Sequence, residues 1–161
     1  MKKSIAIVML LVFTLMLASC ARIKTNVTVY NPTAVNLKGA TYSYMMLDNQ
    51  TGDTNYQSIS QLVDGQLQGY GMTKVSSNPE FNVVIIYQLA ANSASKSDSL
   101  EVAIFNASSM YDLHSKPVYL VNVISDGKPK NQATVLQHLV SDAFKTFPAT
   151  DGKTFSYPEN Y

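Results

Sequence analysis

The segment Phe81-Asn82-Val83-Val84-Ile85-Ile86-Tyr87-Gln88-Leu89 decides how the rest of the chain is read. Its central four residues are β-branched and apolar whichever way they face, which marks the interior strand of a sheet, covered on both sides or flanked by long side chains. Asn78-Pro79 ahead of it is a turn, because proline cannot donate to a ladder. Ala91 to Ser99 behind it is small and polar, the composition of a loop. Leu100 to about Asp112 reads as one long strand, bulged near Asn106. Leu113 to Pro117 turns the chain, Val118 to Ser125 returns as a hairpin partner, and Asp126-Gly127-Lys128-Pro129 breaks the sheet. Three consecutive strands joined by short links pair antiparallel.

Upstream, Asn26-Val27-Thr28-Val29-Tyr30 alternates as a strand does and ends at Asn31-Pro32. A second strand, rich in aromatic residues, covers Thr41 to Leu47, and Asp48 to Thr54 is a polar loop. A helix starts near Asn55, capped by Asp53 or Thr54, with Ile59, Leu62, Val63, Leu67 and Tyr70 along one face. Gly71 closes it in the left-handed conformation. Gly65 and Gly69 make a G-x-x-x-G spacing. In so polar a helix this signals close packing on the sheet or simple tolerance, not membrane-type pairing. The second helix spans Gln132 to Phe147, with Val135, Leu136, Leu139, Val140, Ala143, Phe144 and Phe147 as its apolar stripe and Pro148 as its stop. Phe155-Ser156-Tyr157-Pro158 is one short edge strand or a loose tail. The expected fold is therefore α+β: an antiparallel sheet of about five strands with two amphipathic helices packed on one face.

The beginning of the chain has a different character. Lys2 and Lys3 precede an apolar run, Ile5 to Leu17, interrupted only by Thr14 and shorter than the roughly 20 residues of a spanning helix. Leu17-Ala18-Ser19-Cys20 resembles the lipobox of bacterial lipoproteins. The resemblance implies removal of residues 1–19 as a signal peptide, diacylglycerol on the Cys20 thiol and acylation of its new amino group. Cys20 is the only cysteine, so no internal disulfide competes for it. Two or three buried acyl chains hold a protein stably where one holds marginally. Residues 20–25 then form a lipidated tether and residues 26–161 a single periplasmic domain. Without aspartate after Cys20, the resemblance implies the outer membrane, with the domain on its periplasmic face.

Several stretches of the domain resemble the bacterial lipoprotein family called domain of unknown function 4136. They are Thr41-Tyr42-Ser43-Tyr44, Leu67-Gln68-Gly69-Tyr70-Gly71, Asn78-Pro79-Glu80-Phe81, the Tyr111-Asp112 hairpin leading to Val118-Tyr119, and Phe144-Lys145-Thr146-Phe147-Pro148. Tyr119 stands where that family commonly has tryptophan. The resemblance implies an α+β envelope lipoprotein and brings no catalytic residues with it.

Composition narrows the function classes. Of 12 Lys and Arg residues, Lys2 and Lys3 lie in the leader, which leaves the domain one short of its 11 Asp and Glu. So balanced a domain has no basic field for nucleic acid. His114 sits in a predicted turn and His138 beside the stripe of the second helix; neither has a Cys partner, an H-E-x-x-H spacing or a carboxylate cluster, so no metal site or cofactor is expected. No G-x-S-x-G elbow or phosphate-binding glycine loop occurs, and Lys128 and Lys130 flank Pro129 in a solvated turn. No catalytic residue is assigned.

Trp is absent, whereas tyrosine is abundant, with 10 copies. Tyr30, Tyr42, Tyr44, Tyr87, Tyr111 and Tyr119 fall on predicted strands, where they either pack into the core or line a recognition face. The leading reading is a non-catalytic interaction or structural domain, held to the membrane by its lipid and meeting an envelope protein partner. The alternative is a periplasmic small-ligand binding module that uses a tyrosine-bearing sheet face or a cleft.

Overall fold

The computed structural model describes residues 22–90, 97–110, 112, 114–126, 131–149 and 154–160. The segment expected as a signal peptide, Cys20, Tyr111, Lys128 and Lys130 lie outside the described residues. In chain order the elements are β1 (Arg22–Tyr30), β2 (Thr41–Tyr44), a 3-10 turn (Asp48–Gln50), α1 (Thr54–Tyr70), β3 (Thr73–Lys74), β4 (Phe81–Gln88), β5 (Ser97–Asn106), a second 3-10 turn (Ala107–Ser109), β6 (Tyr119–Asp126), α2 (Gln132–Phe144) and β7 (Thr154–Asn160). The strands form one sheet in the order β3-β2-β4-β5-β6-β1-β7.

The fold is α+β, but the sheet has seven strands, one of them only two residues long, and it is mixed. β2 runs parallel to both β3 and β4, whereas β4, β5, β6, β1 and β7 are antiparallel. The expected all-antiparallel sheet fails at β2 for a topological reason. α1 carries the chain from the end of β2 back to the end where β2 began, so the next strand must run the same way. A strand, helix, strand succession is the unit that makes parallel pairs, and Thr41 to Phe81 contains one.

Boundaries shift as well. β1 begins at Arg22, so the segment expected as tether up to Thr25 is already strand: it pairs with β7 throughout and, from Lys24 opposite Asp126, with β6 as well. β5 ends at Asn106, where the chain leaves the sheet through the Ala107–Ser109 turn instead of continuing to Asp112. α2 stops at Phe144, three residues before the expected Phe147. The tail pairs with β1 as the edge strand β7.

Local chemistry explains the helix ends. Asp53 caps α1 by accepting from the backbone N–H of Asn55 at 2.8 Å and Tyr56 at 3.3 Å. Gly71 closes it at φ +105°, where its N–H and that of Met72 satisfy the last carbonyls. Asn131 caps α2 through Ala133 N–H at 2.9 Å. The register sets the covered face of the sheet in rows: Val83, Ile104 and Tyr119; then Ile85, Val102, Val121 and Val29; then Leu100, Val123 and Val27. All are buried, in one cluster with Ile59, Val63 and Leu67 of α1 and Val135, Leu136, Leu139, Val140 and Ala143 of α2. Both helices thus lie on one face, as their single stripes require. They run in the same direction, since Gln132 donates to Asn55 at their first turns and Tyr70 meets Phe147 edge-on at their far ends.

Candidate functional site

Most of the strand tyrosines are spent on the covered face. Tyr42, fully buried, donates its hydroxyl to Asp64 of α1 at 2.8 Å, and the other Asp64 oxygen holds the Lys74 ammonium at 2.7 Å. Tyr44 donates to the Ser60 carbonyl at 3.0 Å and meets the Tyr42 ring edge-on, with Lys74 over its own ring. Burial first, and the neighbouring Asp64 carboxylate second, push both phenols well above the ordinary range, so they stay protonated donors. Tyr119 is buried against Phe147, ring centroids 4.8 Å apart. Tyr87 donates to Asp53, which ties β4 to the first turn of α1. Its own phenol is pushed up to about 12, mainly by burial, while the donated hydrogen bond holds the Asp53 carboxyl below its usual value. A tyrosine-bearing recognition face is therefore not what these residues build. Of Tyr30, Tyr42, Tyr44, Tyr87 and Tyr119, Tyr30 alone alternates onto the other face.

That other face carries no helix among the described residues. Its rows are Val84, Ala103, Leu120 and Tyr30, then Ile86, Glu101, Asn122 and Thr28, then Gln88, Ser99, Ile124 and Asn26. Val84 at 9% and Ala103 at 4% exposure are buried, whereas Ile86 at 47% and Ile124 at 42% stand open to solvent. Such isoleucines cost solvation unless something covers them; Ile86 shares its row with Glu101 and Asn122, which are joined by a hydrogen bond of 3.3 Å, and Ile124 stands in the next row.

The second feature is the outer seam between the parallel helices. Its wider part encloses about 550 Å³ between Asn55, Ser58, Gln61 and Leu62 of α1 and Gln132, Ala133, Leu136 and Gln137 of α2. The lining holds amides, a hydroxyl and aliphatic carbon, and no charge. Further along, about 220 Å³ opens beside Gly65, Gly69, Tyr70, Phe144 and Phe147. A Cβ added at Gly65 or at Gly69 would meet nothing within 4 Å. The two glycines are tolerated rather than required by close packing, and their missing side chains are what deepen the seam.

A third hollow, about 330 Å³, lies at the β4 edge between Gln50, Asp53, Asn55, Ile86 and Tyr87. Gln50 forms its wall: the side chain is buried, donates to the Ile85 carbonyl at 2.6 Å and accepts from Leu47 N–H at 2.9 Å. At the start of β2, Glu80 accepts from Thr41 N–H at 2.7 Å while its own N–H donates to the Thr41 hydroxyl. Neither Gln50 nor Glu80 stands out in the sequence, because an exposed-looking polar residue in a loop gives no sign that it will meet a strand end.

The histidines are not brought into a common site. His114 is exposed in the turn before β6, where its backbone N–H donates to Asp112, and His138 is half-buried on α2. Among the described residues no group of three or more His, Cys, Asp or Glu side chains is placed to hold a metal ion, and no helix is long and apolar enough to cross a membrane.

No protein-family model matches the chain, and no curated protein matches it in sequence. Among solved structures, a PDZ domain protein from Parabacteroides distasonis superposes with a TM-score of 0.54 at 11% identity, over 86% of this chain and 40% of that one. The PelC dodecamer from Paraburkholderia phytofirmans gives 0.47 at 6% identity, over 74% and 94% of the two chains. A candidate lipoprotein from Caulobacter crescentus gives 0.35 at 8% identity, over 65% and 82%. The first of these shows a shared fold over most of this chain; the other two overlaps carry no argument.

Proposed function

We propose that this chain is a cell-envelope lipoprotein, acylated at Cys20 and held on the periplasmic face of the outer membrane, whose α+β domain is a structural or interaction module and not an enzyme. Kinship with the domain of unknown function 4136 family belongs to the same proposal, through the motifs that resemble it. The observation that carries the interaction reading is the face of the sheet that bears no helix among the described residues, where Ile86 and Ile124 are exposed while Tyr42 and Tyr119 are buried on the opposite face. A protein partner laid on that face would remove both isoleucines from water. The test has two arms. Radiolabelled palmitate enters the wild type and not Cys20→Ala; equal labelling of both sinks the anchor. Crosslinking in intact cells captures a protein with the wild type and loses it with Ile86→Ser combined with Ile124→Ser; the same capture by both sinks the use of this face.

The interhelical seam favours a second reading, a small-ligand binding module. Asn55, Gln61, Gln132 and Gln137 can each donate and accept, beside the aliphatic Leu62 and Leu136, which suits an uncharged polar ligand. A panel of neutral sugars and amides that leaves the Tm of the wild type unmoved counts against it. A ligand that raises Tm in the wild type but not in Gln137→Leu supports it.

A further inference from the structure

β1 starts at Arg22, two residues after Cys20: Arg22 and Ile23 pair with Asn160 and Glu159 of β7, and from Lys24, opposite Asp126 of β6, the strand is paired on both sides. Two residues of chain span at most about 7 Å. Acylation of Cys20 buries its chains in the bilayer, so the first residues of β1 cannot move farther than that from the lipid headgroups without unpairing the strand. The register names the neighbours that come with them. Asp126 lies across from both Lys24 and Ser97, so the end of β6, the start of β5 and the end of β7 share this level.

The geometry points to this end of the sheet as a lipid-facing surface, resting directly on the headgroup layer with no flexible spacer. The opposite end is the one offered to the rest of the envelope. At about 3.4 Å per residue the nine residues of β1 set the two ends ~27 Å apart. The far end comprises residues 31–40, the Gly71 turn and the segment before β6 that contains Lys116, because Tyr30 pairs with Leu120 and Ile104 with Tyr119. The inference rests on acylation of Cys20 as proposed. It adds that the anchor sets the orientation of the domain as well as its location.

The experiment uses the processed, lipidated protein reconstituted in vesicles of phosphatidylethanolamine and phosphatidylglycerol that carry a headgroup nitroxide, a short-range quencher. With the native Cys20 thiol alkylated, a fluorophore reacts only with an introduced cysteine, Asp126→Cys at the near end or Lys116→Cys at the far end. Both positions are exposed. The expected result is a large loss of fluorescence at Asp126→Cys and none above the nitroxide-free baseline at Lys116→Cys. A Gly/Ser insert of about 12 residues between Ala21 and Arg22, with an end-to-end distance of ~19 Å, removes that difference. Equal quenching at the two positions, or a difference that survives the insert, overturns the orientation while floating vesicles and palmitate labelling leave the anchor standing. A chain that neither floats with vesicles nor takes palmitate overturns the anchor and the orientation together.

Discussion

The two faces of the sheet are made by alternate residues of the same strands, and they are governed by different physics. Val83 and Ile85 of β4 pass under two helices, whereas Val84 and Ile86, one step along the same strand, pass to the face without them. On the first face burial is the packing of layer on layer. On the second, which carries no helix among the described residues, Val84 is buried but Ile86 stands open to solvent. Equal hydrophobicity in the sequence therefore corresponds to unequal stakes in the fold.

The sharpest way to break this comparison is to truncate both sides of it. Ile85→Ala leaves a cavity beneath the helix layer and is expected to lower stability by about 2–5 kcal/mol in urea unfolding. Ile86→Ala, read the same way, should cost well under half as much. Similar losses at both positions would mean that the second face is covered as completely as the first.

Next in size is Asp53, which joins the covered face to its helix layer. Asp53→Ala removes the cap of α1 and the acceptor of Tyr87 together, and should cost about 1–2 kcal/mol. The pH dependence has a definite sign. Because the folded Asp53 carboxyl is held below its usual value, its contribution is complete above the ordinary carboxylate range and is lost as the pH falls through the lowered value. Tyr87 acts at the other limit. Its folded phenol is raised to about 12, so its contribution is complete below the ordinary value of 10.0 and is lost as the pH rises from there. Urea midpoints measured against pH should show a shallower acid arm in Asp53→Ala. Tyr87→Phe should soften the alkaline arm only in part, since Tyr42, Tyr44 and Tyr119 are held up as well.

A smaller effect, of opposite sign, is expected in the helix layer itself. Gly65 is interior to α1 with open space at its Cβ position, so Gly65→Ala should stabilise the domain by about 0.5–1 kcal/mol in the same unfolding assay. A loss instead would show that the seam needs its bare backbone. The smallest change in stability belongs to Ile86→Ser with Ile124→Ser on the open face, expected within about 0.5 kcal/mol of wild type per site. That pair is nevertheless the one whose crosslinked partner should vanish.

Much of this architecture is legible in the residues because its causes are local. The cap at Asp53, the left-handed stop at Gly71 and the 3.6-residue stripes of both helices follow from hydrogen-bonding groups and periodicity within a few positions. The alternation of Asn26 to Tyr30 likewise gives β1 away, although not the four residues before it, whose pairing depends on β6 and β7 lying alongside. The parallel entry of β2 was harder to see, because a strand has the same pattern in either direction and only the return path of α1 decides which it takes.

The candidate surfaces were less legible still. Ten tyrosines in a chain state that phenols will matter, yet Tyr42 and Tyr30 carry the same alternating signal, and one is fully buried beneath α1 while the other faces away from it. By itself the sequence determined the apolar run of residues 5–17, the only cysteine, the two amphipathic helices and the strands that alternate, all of which depend on neighbours along the chain. Only the tertiary structure decided which face the helices cover, which isoleucines stay exposed and at which end of the sheet β1 begins. Those are properties of register and packing order, and residues far apart in the chain set them together.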